Sequence, residues 1–319
     1  MALSAGPPGA TSHLAAGKRP SARNYALGIT CGVLMSAFGA LYTASARYGV
    51  LHGFTPYDLT AIRFGIAALL FIPMTASMGF FNMGTLGWRR ALVLTSCAGP
   101  AFSLLLFTGL RFAPLAHGAV ITPATIALVG LILAAFLFRD HPDRNRWIGI
   151  ALIIAGLAAL GGDGLLHGSG WQMVAGDLMF IAAGIGWAIF GTLLRHWRAN
   201  PVSAAAAVAT LSALAFIPCY LAFADLGGWQ RASVSHIVMQ VLVQGVVAGA
   251  VSLFLVAKTV ELLGPAIAVL FGALVPALSV LTAIPILGEF PNALQWTGLV
   301  VISLGLAMSL VRPSRRLAR

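Results

Sequence analysis

The 319-residue chain is 59% hydrophobic and only 8% charged, whereas a soluble domain carries roughly 25% charged residues. A water-facing surface so poor in charge would aggregate, so the apolar surface must face lipid. The net charge of +11 sits in short patches beside apolar runs, which suits membrane orientation and argues against nucleic acid as a partner.

A spanning helix takes roughly 17–25 mostly apolar residues, and ten such runs follow one another along the chain. Residues 1–24 are small, polar and Pro-containing and read as a disordered cytoplasmic tail. The first run, 25–45, follows Lys18, Arg19 and Arg23. Its apolar stretch exceeds the usual 7–15-residue core of a signal peptide, so it reads as a retained helix. Gly28, Gly32 and Ser36 are spaced by four along it, a stripe for close helix packing; Tyr42 lies near its far end. The second run, 58–77, contains Arg63, and the third is 91–111. The fourth, 116–138, contains Pro123, and the fifth, 147–162, is short and contains Gly149 and Gly156. The sixth, 173–194, carries Gly184 and Trp187; the seventh is 202–224. The eighth, 237–257, places Gln240 and Gln244 on one face and ends at Lys258. The ninth, 264–285, contains Pro276, and the tenth, 294–311, contains Gly298 and Gly305. A basic tail, 312–319, follows. The three cysteines, Cys31, Cys97 and Cys219, stand alone inside apolar runs without metal or disulfide spacing and read as packing residues.

Lys and Arg decide orientation. With the N-terminus cytoplasmic, fifteen of them fall inside and only Arg47, Arg111 and Arg231 fall outside, while Arg63 lies within a span. An odd number of spans would spoil this asymmetry, so both termini are expected in the cytoplasm.

Two stretches read alike: DHPDRNRWIG at 140–149 and EFPNALQWTG at 289–298. Asp140, Pro142, Trp147 and Gly149 match Glu289, Pro291, Trp296 and Gly298 at an offset of 149. Only the first copy holds arginines, Arg144 and Arg146. Five spans separate the copies, so one lies inside and the other outside, and the basic residues follow the inside copy. The halves, 25–162 and 173–311, are therefore expected to be inverted-topology repeats. At the same offset Ala119, Val120 and Ala124 match Ala268, Val269 and Ala273, and at an offset of 152 Gly32 matches Gly184.

With these features the chain resembles the drug/metabolite transporter superfamily, in its group with two EamA domains. The resemblance covers 25–311 and rests on AIRF at 61–64, LVPALSVLTAIPILGE at 274–289, Trp296, and SLGL at 303–306. Pro276 precedes Glu289 by thirteen residues, the family's spacing; Pro123 precedes Asp140 by seventeen, and Asp replaces the more usual Glu, so the first half is the more divergent copy. The resemblance implies an all-α secondary transporter with ten transmembrane helices. It would sit multi-pass in the inner (plasma) membrane, often as an exporter of amino acids or other small metabolites.

The polar residues on the spans each carry two readings. Arg63 snorkels or pairs with Asp58, or it faces a central cavity and attracts a carboxylate. Gln244 bonds other helices or contacts solute. Lys258 pairs with Glu261, or it meets a solute carboxylate from the cytoplasmic side. Tyr42 and Trp187, on repeat-related helices, border the cavity or, for Tyr42, anchor at the interface. Pro123 and Pro276 are paired bends about which one half rocks, or passive kinks tolerated in lipid. No G-x-x-x-x-G-K-[ST], G-x-S-x-G or H-E-x-x-H occurs, so no nucleotide, cofactor or metal is expected. Every acid lies in a loop or near a helix end. The leading expectation is a non-enzymatic transporter working by alternating access on small organic solutes, amino-acid-like or otherwise carboxylate-bearing, as a monomer or homodimer. A membrane-embedded lipid-modifying enzyme and a non-transporting scaffold are the alternatives.

Overall fold

The computed structural model describes residues 22–79, 83, 86–138, 143–166, 170–224 and 227–310. The start of the N-terminal tail, the basic tail, Asp140 and Pro142 lie outside the described residues. All regular structure among the described residues is helical. In order these are α1 (Ala22–Leu51), α2 (Pro56–Met78), α3 (Trp88–Ala98), α4 (Pro100–Phe112), α5 (Leu115–Phe138) and α6 (Arg144–Leu166). The second half has α7 (Gly170–His196), α8 (Pro201–Phe223), the short α9 (Gly227–Arg231), and α10 (Val234–Gln240). A π-helical segment (Val241–Val251) joins α10 to α11 (Ser252–Leu263), followed by α12 (Pro265–Leu287) and α13 (Ala293–Leu310).

Each predicted run is helical, but two are not regular. The third is broken at Gly99 into α3 and α4, because Pro100 has no N–H to continue a helix and suits the first position of a new one. The eighth widens into the π segment at a matching place in its half. Eight stretches among the described residues are long and apolar enough to cross a membrane; α13 is a shorter apolar helix. The chain is thus a multi-pass helical membrane protein.

The repeat is visible in local structure. Thr55 and Asn200 cap α2 and α8, Pro56 and Pro201 follow at the first position, and Pro73 and Pro218 sit at the same point inside each. The duplicated loop sequence also has a local meaning. The Asp143 carboxylate accepts the Arg146 N–H at 2.9 Å, and the Asn292 amide oxygen accepts the Gln295 N–H at 2.9 Å. Both copies therefore cap the helix that follows, and Trp147 and Trp296 fall in its first turn as exposed side chains. Gln295 answers through its own oxygen to the Asn292 N–H, completing a capping box.

Helix packing obeys the same exchange of halves. α1 packs on α11 and α12, as α7 packs on α4 and α5; α2 meets α8, and α6 meets α13. Gly32 lies against Phe271, while Gly184, its counterpart at the 152 offset, lies against Thr125 and against Thr122, the counterpart of Phe271 at the 149 offset. On α6 and α13 a Cβ at Gly149 would come within 2.7 Å of the Gly305 carbonyl oxygen, and one at Gly156 within 3.1 Å of that of Gly298. Low numbers on one helix thus face high numbers on the other, so the repeat-related pair runs antiparallel, with Ile153 and Ile302 fully buried between.

Candidate functional site

A cavity of about 180 Å³ lies between the halves. Its walls run from Arg63 toward Phe71 on α2 and from Trp187 to Leu194 on α7, and they reach Pro201 at the start of α8. The cavity therefore extends toward the α7–α8 turn. Both irregular helices border it: Ala98 stands just before the Gly99 break, and Ala248 and Gly249 belong to the π segment. Irregular backbone at membrane depth is tolerated where it lines a cavity, and π segments recur at functional sites. A larger groove of about 800 Å³ between α2 and α8 has exposed Leu69, Leu214 and Leu221 in its walls and no charged residue, and it faces outward to lipid.

Arg63 is the charged residue in the cavity wall. It lies seven positions into α2, which is about 10 Å along the axis. Its guanidinium carbon stands 4.8 Å from the centre of the Tyr42 ring and 5.7 Å from that of Phe64. Among the described residues no carboxylate pairs with it. The alternative in which Arg63 pairs with Asp58 is not realised. Asp58 is fully buried and accepts hydrogen bonds from Tyr220 Oη, from Trp229 Nε1 at 3.0 Å, and from Thr55 N and Oγ1 at 2.7 and 2.8 Å. Four donors from α8, α9 and the α2 cap fill its lone pairs and hold it away from Arg63. The cation–π contacts return ~0.5–2 kcal/mol, and no carboxylate among the described residues adds to them, so an anionic ligand would supply the missing countercharge.

At the opposite end of the bundle, charged side chains join the helices. Arg47 Nε near the end of α1 donates to Glu289 Oε1 at 2.7 Å, and its Nη1 donates to the Leu110 carbonyl. Glu289 Oε2 accepts the Leu115 N–H at 2.9 Å, at the start of α5. Next to this pair, His117 Nδ1 and Asp177 Oδ1 are 2.9 Å apart, joining α5 to α7, and Gln295 Nε2 approaches His117 Nε2 at 3.4 Å. A second cavity of about 300 Å³ lies here, with Arg47 and Glu289 in its wall. Glu289 was expected only as a repeat landmark; its offset partner Asp140 lies outside the described residues. Asp177 and His117 were not singled out in the sequence, because nothing local joins residues 60 positions apart.

A family model described as the EamA-like transporter family matches residues 26–162 and 174–311. The chain belongs to the EamA-like transporter family. The uncharacterized transporter YetK of Bacillus subtilis (strain 168) is 31% identical over 121 residues, covering 36% of this chain and 35% of YetK. The chain thus spans about a third of that relative's length. A solved structure described only as a crystal structure of a protein covers 92% of this chain and 98% of its own, at 21% identity and a TM-score of 0.58, a likeness of fold. The family to which the chain belongs is described as one of transporters.

Within this EamA-like bundle the other sequence candidates divide. Trp187 joins Arg63 in the cavity wall, stacked at a tilt on Phe102 and Phe190 with ring centres 4.7 and 5.3 Å away. Tyr42 stands behind Arg63 and against Phe107. Gln244 is buried outside the cavity wall: its Nε2 donates to Tyr42 O at 3.1 Å and Ser45 Oγ at 2.9 Å, and Gln240 Nε2 donates to Ser45 O at 2.7 Å. The two amides fasten the irregular eighth helix to α1, the helix-bonding reading. Lys258 does not join the cavity; its Nζ holds both oxygens of Glu261, at 3.0 and 2.8 Å, on an exposed helix end. Short i,i+3 geometry satisfies it locally, so it has no need of a solute. Pro123 and Pro276 both lie inside helices, α5 and α12, which contact each other. Trp187→Ala removes the largest wall of the cavity without breaking a hydrogen bond. We expect it to change solute preference severalfold in competition assays while yield and melting temperature stay near the parent; an unchanged preference across a broad panel would assign Trp187 to packing.

Proposed function

We propose that the protein is a secondary transporter that exports small carboxylate-bearing organic solutes across the inner (plasma) membrane by alternating access. The observation that carries the reading is the uncompensated Arg63 at the deep end of a cavity bordered by two irregular helices. Counting α6 and α13 as spans five and ten gives ten helices with both termini cytoplasmic, in accord with the distribution of Lys and Arg. In that orientation the cavity extends toward the cytoplasmic α7–α8 turn, and the Arg47–Glu289 pair closes the exterior end. The arrangement matches an inward-facing conformation ready to accept solute from the cell. The antiparallel repeat-related pair α6 and α13 supports halves of inverted topology, and the Pro-containing α5 and α12 are the elements about which one half would rock. The chain works as a monomer or homodimer in this reading, without cofactor.

The test is transport by the purified protein in proteoliposomes, with a panel of carboxylate, zwitterionic and neutral solutes. Arg63-dependent movement of carboxylates is the expected result; no movement of any solute would overturn it. Single cysteines at Arg144 and Asn292 should label from opposite faces. Labelling of both from one face would end the inverted-repeat arrangement.

A further inference from the structure

We infer that the cavity selects monocarboxylates with one compact apolar body and no ammonium group, and so discriminates against amino acids. The inference rests on the transport reading of the same site and narrows its substrate class. Arg63 is the one charged side chain among the residues in the cavity wall. The offset that takes Pro56 to Pro201 takes Arg63 to Val208, which also lines the cavity. The site is therefore electrostatically one-sided: a cation on α2 faces an aliphatic group on α8.

A carboxylate at Arg63 would gain charge-assisted bonds from the planar guanidinium. The ring under that guanidinium is Tyr42, whose hydroxyl is buried without a hydrogen-bond partner. The remainder of the solute meets Phe71, Trp187, Phe190, Leu194 and Leu253. An ammonium carried beside the carboxylate finds no acidic side chain there, lies near a like charge, and loses its hydration. A second carboxylate finds no second cation.

Size sets the rest. An apolar cavity of about 150 Å³ accepts a benzene-sized molecule, and this one measures about 180 Å³. It therefore fits one ring or a short branched chain together with the carboxylate. Phenylacetate has these features. Phenylalanine adds the ammonium to a similar body, and phenylacetamide removes the charge.

The experiment compares these three compounds on the full-length protein in detergent, by calorimetric titration. Phenylacetate should bind, and phenylalanine and phenylacetamide should each bind at least about tenfold more weakly, as expected for an unpaired buried charge and for a lost charge-assisted bond. Arg63→Gln should bring phenylacetate down to the level of the amide, and Arg63→Lys should retain part of its affinity. Phenylalanine binding as tightly as phenylacetate would overturn the inference, as would phenylacetate affinity that ignores Arg63→Gln in a monodisperse variant. The comparison of the three ligands on the unsubstituted protein stands even if a variant fails to fold. Proteoliposome uptake separates the two readings. Phenylacetate that binds but does not cross removes transport and leaves the ligand class. Phenylalanine that crosses while phenylacetate does not removes the ligand class and leaves transport.

Discussion

Gly305→Val and Gly149→Val are expected to abolish recovery of folded protein. A Cβ at Gly305 would sit 2.8 Å from the Gly149 carbonyl oxygen and 3.0 Å from the backbone N of Ile153, and one at Gly149 would sit 2.7 Å from the Gly305 carbonyl oxygen. These obstacles are backbone, so no side chain can swing aside; α6 and α13 would have to separate. Overpacking a well-packed interior costs about 1–3 kcal/mol and more where the backbone must move, while a folded domain has only about 5–15 kcal/mol in hand. The separation would also uncover Ile153 and Ile302, each fully buried at the crossing. Gly272→Ala is the control, because a Cβ there meets nothing within 4 Å. Size-exclusion profiles and thermal melts of detergent extracts measure the effect. Valine variants that melt within a few degrees of the parent would mean that the antiparallel contact is not as close as described.

Glu289→Gln is expected to open the end of the bundle that the proposed orientation places outside. The carboxylate joins three elements through the Arg47 side chain and the Leu115 N–H, and both partners are less than a quarter exposed. Hydrogen bonds to charged groups contribute about 1.5–3 kcal/mol each. The amide keeps one acceptor and loses the charge, so the change should shift the balance by about one tenfold step, ~1.4 kcal/mol. A cysteine at Ala116, a buried residue beside the second cavity, reports the change. In Glu289→Gln its labelling by an impermeant maleimide from the exterior should quicken about tenfold, the ratio that step converts to. The exchange Arg47→Glu with Glu289→Arg should restore part of the slow labelling. Labelling that is equally slow in all three proteins would show that the pair does not hold the end closed.

Much of this architecture is local, and the sequence by itself determined it. The ten apolar runs depend on transfer from water; the caps at Thr55, Asp143, Asn200 and Asn292 and the break at Gly99–Pro100, which the reading of the runs left out, depend on an acceptor two or three residues from its donor or on a missing N–H. Such terms act within one or two turns and can be read in order along the chain. Lys258 belongs here too, since Glu261 lies within the same turn. The duplicated motif and the placement of basic residues further specified that the halves are related.

Only the tertiary structure decided which polar groups are paired and which are left over. Asp58 lies five positions from Arg63 in sequence, yet Tyr220 and Trp229 claim it from 162 and 171 positions away. Arg47 finds Glu289 across 242 positions, and Gln244 finds Ser45 across 199. The π segment at Val241–Val251 carries no breaker comparable to Gly–Pro; the two buried amides at Gln240 and Gln244 hold its start against α1. In an apolar medium each buried polar group must take a partner from whatever helix packs beside it. That choice is made by the packing of helices distant in sequence, and among the groups it leaves over are the Tyr42 hydroxyl and the Arg63 guanidinium beside it, which has no carboxylate partner among the described residues.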